Sequence, residues 1–112
     1  MAIDPYSRVL VLDGEQFSTL AIVRSLGRKG IRVTVGSARG QRPTISSHSR
    51  FAAETFQYTD PMLDPSGFVT DVAAHVKQKF YDLIIPVTEN TVLPLAEERQ
   101  QFAGICKLAL PD

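Results

Sequence analysis

Residues 8–35 run RVLVLDGEQFSTLAIVRSLGRKGIRVTV, and their reading decides the fold. Arg8-Val-Leu-Val-Leu12 is a continuous apolar run ended by Asp13-Gly14, the pattern of a strand buried on both faces of a parallel sheet. From Glu15 to Lys29 the period becomes helical: Leu20, Val23, Leu26 and Gly27 share one face, while Phe17, Arg24 and Arg28 fall opposite. Gly30 stands where a left-handed helix cap belongs. Ile31-Arg-Val-Thr-Val35, ended by Gly36, then supplies a second strand, and the spacing makes a βαβ unit with parallel neighbours.

Downstream, residues 36–53 (GSARGQRPTISSHSRFAA) carry no period and are expected to form a long loop. Glu54–Tyr58 alternates as a short edge strand. Asp64 is placed to cap a helix with Pro65 at its first position, and Phe68, Val69, Val72, Ala73, Val76 and Phe80 form its apolar stripe. Asp82-Leu-Ile-Ile-Pro86 gives a further buried strand. A helix reaching about Phe102 follows, and Pro94 requires it either to start late, near Thr91, or to kink. Gly104–Leu108 is the last expected strand, and Pro111-Asp112 looks like a cut rather than a natural end. Strands alternating with helices predict one α/β domain over 1–112, a Rossmann-like three-layer fold with a mostly parallel sheet of four to five strands. Ligands in such sheets gather at the carboxyl ends of the strands. Three segments converge there: Asp13-Gly14-Glu15-Gln16, Gly36-Ser37-Ala38-Arg39 and Thr88-Glu89-Asn90.

Composition narrows the function classes. The chain has 112 residues, with 12 basic and 12 acidic side chains, so no general positive field is present to hold nucleic acid. The balance hides an asymmetry: residues 1–56 carry eight basic and four acidic side chains, which would draw an anionic ligand to that half. Cys106 is the single cysteine and is expected to be a buried core thiol. Disulfides and thiolate metal sites are therefore not expected, and a reducing, cytoplasmic setting fits. No run approaches the roughly 20 apolar residues of a membrane span, and Met1–Pro5 lacks the features of an export signal.

The convergent segments also exclude chemistries. A dinucleotide turn needs several glycines, whereas Asp13–Ser18 has one glycine and two carboxylates that would repel a pyrophosphate. No Gly-Lys-Ser or Gly-Lys-Thr of a phosphate loop occurs, and the Asp82 strand ends in Ile85-Pro86 instead of a phosphoacceptor aspartate. Glu15 has two readings: a carboxylate favoured by the helix dipole, or a cleft residue holding a cationic or hydrogen-bonding substrate group. Thr88 and Glu89 pose the same choice between cap and ligand contact. Arg39, Arg42 and Arg50 are loop arginines whose default is solvation, and His48 and His75 are isolated. Phe17 beside Arg24 and Arg28 suggests a covered surface. No catalytic or metal-ligating residue is assigned.

In order and spacing, these segments resemble the N-terminal pre-ATP-grasp domain of carbamoyl-phosphate synthase large subunits, biotin carboxylases and related ligases. Val9–Val33 looks like that family's strand, glycine turn, helix and second strand. Ser46–Ala52 resembles the segment before its edge strand, and Asp82–Asn90 is similar to its third major strand and the Ser-Glu-Asn turn of biotin carboxylases. The resemblance implies a parent ligase in which a two-lobed ATP-grasp domain follows, ATP and magnesium activate a carboxylate as an acylphosphate, and an amine or similar nucleophile attacks it. ATP and magnesium ligands belong to that later domain, so no cofactor is expected on this chain. By position, Gly14, Glu15 and Gln16, with Thr88, Glu89 and Asn90, match turns on the substrate side of the family's cleft. Asp13-Gly14-Glu15 departs from the biotin carboxylase Asn-Arg-Gly-Glu, which leaves the substrate open. The implied partners are a small-molecule substrate and the ATP-grasp domain of the same chain, and a homodimer is compatible with the sequence. Two alternatives stand beside this: a self-contained module binding a nucleotide or small anion through the first turn and the 36–42 loop, and an interaction domain using Phe17.

Overall fold

A computed structural model describes residues 7–40 and 46–110. Five strands form one parallel sheet: β1 (Arg8–Val11), β2 (Arg32–Ala38), β3 (Ala52–Tyr58), β4 (Leu83–Ile85) and β5 (Lys107–Leu108), in the order β3-β2-β1-β4-β5. Three helices join them: α1 (Phe17–Arg28), α2 (Pro65–Lys79) and α3 (Glu89–Glu97). From β1 the chain steps outward one way to β2 and β3, then crosses back to β4 and β5 on the other side. Crossovers of one hand then place α1 on one face and α2 with α3 on the other. The expected Rossmann-like three-layer domain is the observed one, with all neighbouring strands parallel.

Each face has its own core. Val9, Val11, Val33 and Val35 turn toward Val23 and Leu26 of α1, whereas Leu10, Leu12 and Ile84 meet Phe68, Val72 and Val76 of α2 and Leu95 of α3. Alternate residues of one strand thus serve opposite layers, as the pleat requires. Asp64 caps α2 as expected, accepting from the Gly67 N–H at 3.0 Å with Pro65 at the first turn. Gly30 turns left-handed at φ 81° to release α1 into β2.

Several expected boundaries move. β2 runs through Gly36 to Ala38, so the expected loop is shorter at both ends, with β3 beginning at Ala52. Gly36 stays in the strand because a Cβ there would stand 2.9 Å from Leu12 Cδ2 and 3.0 Å from Tyr58 Cε2; it marks a close approach and not a stop. Arg42 and the rest of 41–45 lie outside the described residues. Phe80 leaves the apolar stripe: α2 ends at Lys79, and the positive φ of 56° at Phe80 swings its ring outward to 74% exposure. α3 begins at Glu89, two residues before Thr91, and accommodates Pro94; a 3-10 turn at Arg99–Phe102 completes the segment. β5 keeps only Lys107–Leu108, because Gly104 at φ 76° makes a turn before it. Cys106 is half-buried rather than fully enclosed, and burial pushes its thiol up to about 11.

His75, isolated in the sequence, is half-buried and has partners in the fold. Its ring stacks on Phe56 with centroids 3.8 Å apart, and Nε2 lies 2.9 Å from the Tyr81 hydroxyl, which donates to Thr34 Oγ1 at 3.0 Å. Burial, then the charge of Lys79, holds its pKa below the ordinary 6.5; Arg8 adds to this and Glu54 opposes it. The unfolded chain therefore binds the His75 proton more readily. Stability from the neutral ring is complete above about 6.5 and declines as pH falls through the lowered folded value. His75→Gln is expected to flatten the wild-type loss of melting temperature on acidification below about pH 6.5. Parallel slopes for both proteins would show that His75 plays no part.

Candidate functional site

The order β3-β2-β1-β4-β5 reverses direction at β1, so the crevice beyond the carboxyl ends of β1 and β4 is where a doubly wound sheet takes its ligand. Here that crevice is closed by a side chain of the protein itself. Asp13 follows β1 in a left-handed backbone (φ 60°) and is 3% exposed. Its Oδ2 accepts from the N–H groups of Val87 and Thr88, both at 2.9 Å, and from Thr91 Oγ1 at 2.7 Å. Its Oδ1 accepts from Thr88 Oγ1 at 2.9 Å. A carboxylate is acceptor-only, and four donors saturate it well. Asp13 is thus a clamp between the first turn and the turn after β4. Thr88, at the N-cap of α3, makes no side-chain cap bond because its hydroxyl is committed to Asp13.

The backbone of the first turn is equally committed. The Gly14 N–H donates to Gly36 O at 3.0 Å, the Gln16 N–H to Asp13 O at 2.9 Å, and the Asp13 N–H to the buried Tyr58 hydroxyl at 3.0 Å. Thr19 Oγ1 donates back to Leu12 O and Asp13 O at 3.0 and 2.7 Å. Two amides of the turn, those of Gly14 and Gln16, are thus spent on internal carbonyls and are not free to cradle a pyrophosphate.

What stays open at the rim is a small cleft over the ends of β2 and β3, lined by Asp13, Glu15, Tyr58, Asp60, Met62 and Asn90 among others. Its volume is about 80 Å3, far below the roughly 300–1,000 Å3 that encloses a whole drug-sized ligand. The cleft has room for one small chemical group, not for a nucleotide. Its polarity is acidic: Glu15 reaches solvent at the mouth, and partial burial holds its carboxyl above the usual carboxylate range. A hydrogen bond from its own N–H opposes this, while the nearby Asp13 and Asp60 carboxylates reinforce it. Glu15 precedes the N-cap Gln16, outside the first turn of α1. A cation or a hydrogen-bond donor entering the cleft relieves this crowding, whereas an anion adds to it.

The sequence-predicted residues therefore separate. Asp13, Glu15 and Asn90 meet at the cleft; Gly14, Gln16 and Thr88 build its support. Ser37 is buried in β2 opposite Gln57, and Arg39 turns aside toward Asp71 at 3.9 Å. Glu89 is exposed and lines a neighbouring depression with Pro65 and Pro94. Tyr58, Asp60, Met62 and Thr91 were not anticipated; the polar cluster Tyr58-Thr-Asp-Pro61 at the end of an edge strand was the available signal. A larger hollow of about 520 Å3 beside β5 offers Arg99 and the raised-pKa thiol of Cys106, which is a poor nucleophile at neutral pH. Among the described residues, no group of three or more His, Cys, Asp or Glu side chains is arranged to hold a metal ion, and no helix is long and apolar enough to cross a membrane. No protein-family model matches the chain, and a search of curated proteins returns no significant match.

Proposed function

We propose that this chain is the substrate-side domain of an ATP-grasp ligase, whose rim cleft receives a cationic or hydrogen-bond-donating group of the substrate. The supporting observation is Glu15, held among Asp13 and Asp60 at the carboxyl ends of the strands with its pKa raised. The Asp13 clamp fixes the backbone turn from which that side chain projects. ATP and magnesium would be held by a following domain, where the substrate carboxylate is activated for attack by an amine. The present chain contributes binding and orientation. The acidic cleft weighs against the rival module that takes a small anion through the first turn.

Glu15→Gln tests the reading. A helix-end carboxylate would stabilise the fold, so its loss would lower the melting temperature by a few degrees. A cleft carboxylate crowded by like charges gives the opposite: Glu15→Gln melts at or slightly above wild type at pH 7. In the same experiment, ethylammonium shifts the amide resonances of Glu15, Asp60 and Asn90 in wild type but not in the variant, and magnesium-ATP gives no heat of binding in calorimetry. Lower stability without an ammonium effect sinks the substrate role, and micromolar ATP binding favours the self-contained module.

A further inference from the structure

The acidic rim has a counterpart at the other end of α1. Between Glu15 and Glu54 the sequence has no acidic residue, yet it carries Arg24, Arg28, Lys29, Arg32, Arg39, Arg42 and Arg50. Two of these find carboxylates: Arg32 pairs with Glu54 at 3.0 Å and Arg39 with Asp71 at 3.9 Å. Arg24, Arg28 and Arg50 do not; among the described residues no carboxylate lies within ion-pair distance of them. They converge instead on a groove of about 430 Å3, lined with His48, Ser49 and Phe51. Arg24 and Arg28 stand one turn apart on the same face of α1.

The opposing wall is built rather than loose. Ser46–His48 form a 3-10 turn closed by the Ser49 N–H to Ser46 O at 3.2 Å, and the Phe51 N–H donates to Ser49 Oγ at 3.2 Å. Phe51 lies so close against Gly27 that no Cβ fits at that helix position. The Arg50 guanidinium carbon lies over the Phe51 ring, 4.9 Å from its centroid, a cation–π contact. Gathering three guanidinium groups with no counter-charge among the described residues costs the fold repulsion, and a bound anion reverses that cost.

We infer that this groove is a second binding site, for a phosphate-bearing small molecule whose oxygens accept from Arg24, Arg28 and Arg50. Planar guanidinium forks match phosphate oxygens in pairs. The chain has no net charge, so the positive field is local to the groove, which fits a compact anion better than a nucleic-acid backbone. α1 begins beside Glu15 and ends at Arg28, so the groove and the rim cleft lie toward opposite ends of the helix, and the inference is independent of the ligase reading.

Inorganic pyrophosphate, titrated at low ionic strength and followed by amide resonances, is the test. Saturable shifts are expected at Arg24, Arg28 and Ser49–Phe51, with the affinity of Arg24→Gln/Arg28→Gln weakened roughly tenfold or more. Both side chains are exposed, so the double variant keeps its fold and melts no lower than wild type in the absence of ligand. Glu15→Gln leaves pyrophosphate binding unchanged. The inference is overturned by no saturation up to about 10 mM, by equal affinity in the double variant, or by sodium chloride at matched ionic strength giving the same shifts. An acidic peptide that binds where pyrophosphate does not would likewise overturn it, and would make the groove a protein-docking surface.

Discussion

Asp13→Ala is expected to destabilise the chain by about 3–5 kcal/mol. Three donors lose their acceptor together, the Val87 and Thr88 N–H groups and the Thr88 hydroxyl, while the Thr91 hydroxyl loses its 2.7 Å bond and keeps only the Thr88 carbonyl at 3.1 Å. The two amides are partly buried, and water can replace a lost acceptor only where it can reach. Alanine also tolerates the φ of 60° at position 13 less well than aspartate does. Asp13→Asn keeps the shape and that tolerance but presents an amide NH2 toward donors. It should therefore fall between wild type and alanine, at about 1.5–3 kcal/mol. Denaturant unfolding with an unchanged m-value would measure the loss. If Asp13→Ala costs under about 1 kcal/mol, the carboxylate is not the clamp that joins the two turns.

Tyr58→Ala should rival it, at about 4 kcal/mol or more. The Tyr58 ring is 1% exposed, meets Phe68 edge-on at a centroid distance of 4.9 Å and Phe56 at 5.9 Å, and presses on Gly36. Its hydroxyl accepts the Asp13 N–H, so the same residue fills the α2-side core and props the first turn. Tyr58→Phe separates the two roles. It keeps the packing and leaves one buried N–H unpaired, for about 1–2 kcal/mol. Equal losses in the two variants would mean that the hydroxyl, and not the ring, carries the residue's contribution.

These two residues mark where the sequence stopped being legible. The strands, α1 and the capped start of α2 follow from local patterns: apolar runs, a 3.6-residue stripe, Asp64 before Pro65, and glycine at a left-handed position. Each is written within a few consecutive residues. The Asp13 clamp is not, because its donors lie 74 to 78 positions away and nothing in Leu12-Asp13-Gly14 names Val87, Thr88 or Thr91 as partners. Topology alone brings them together, by setting β4 beside β1. The same holds for Gly36, which looks like punctuation until Leu12 and Tyr58 are seen against it. Phe80 failed for the opposite reason: its spacing fits the stripe, but one backbone angle takes it out of the helix. At the rim, the convergence of the first and third segments was readable from fold class. The roles within it were not, since they depend on which carboxylate is saturated and which is left open.

The Asp13 clamp also sets an order of events as the chain leaves the ribosome. The first strand, the first helix and the second strand emerge together, and their contacts are local. The turn between them nevertheless ends in a carboxylate whose donors do not exist until Thr91 has been made. At about 5–20 residues per second, synthesis of the intervening stretch takes seconds, whereas loop closure takes far less than a millisecond. A nascent chain that has not reached Thr91 therefore carries Asp13 without its donors, and the last turn of the rim to be synthesised is the one that locks the first.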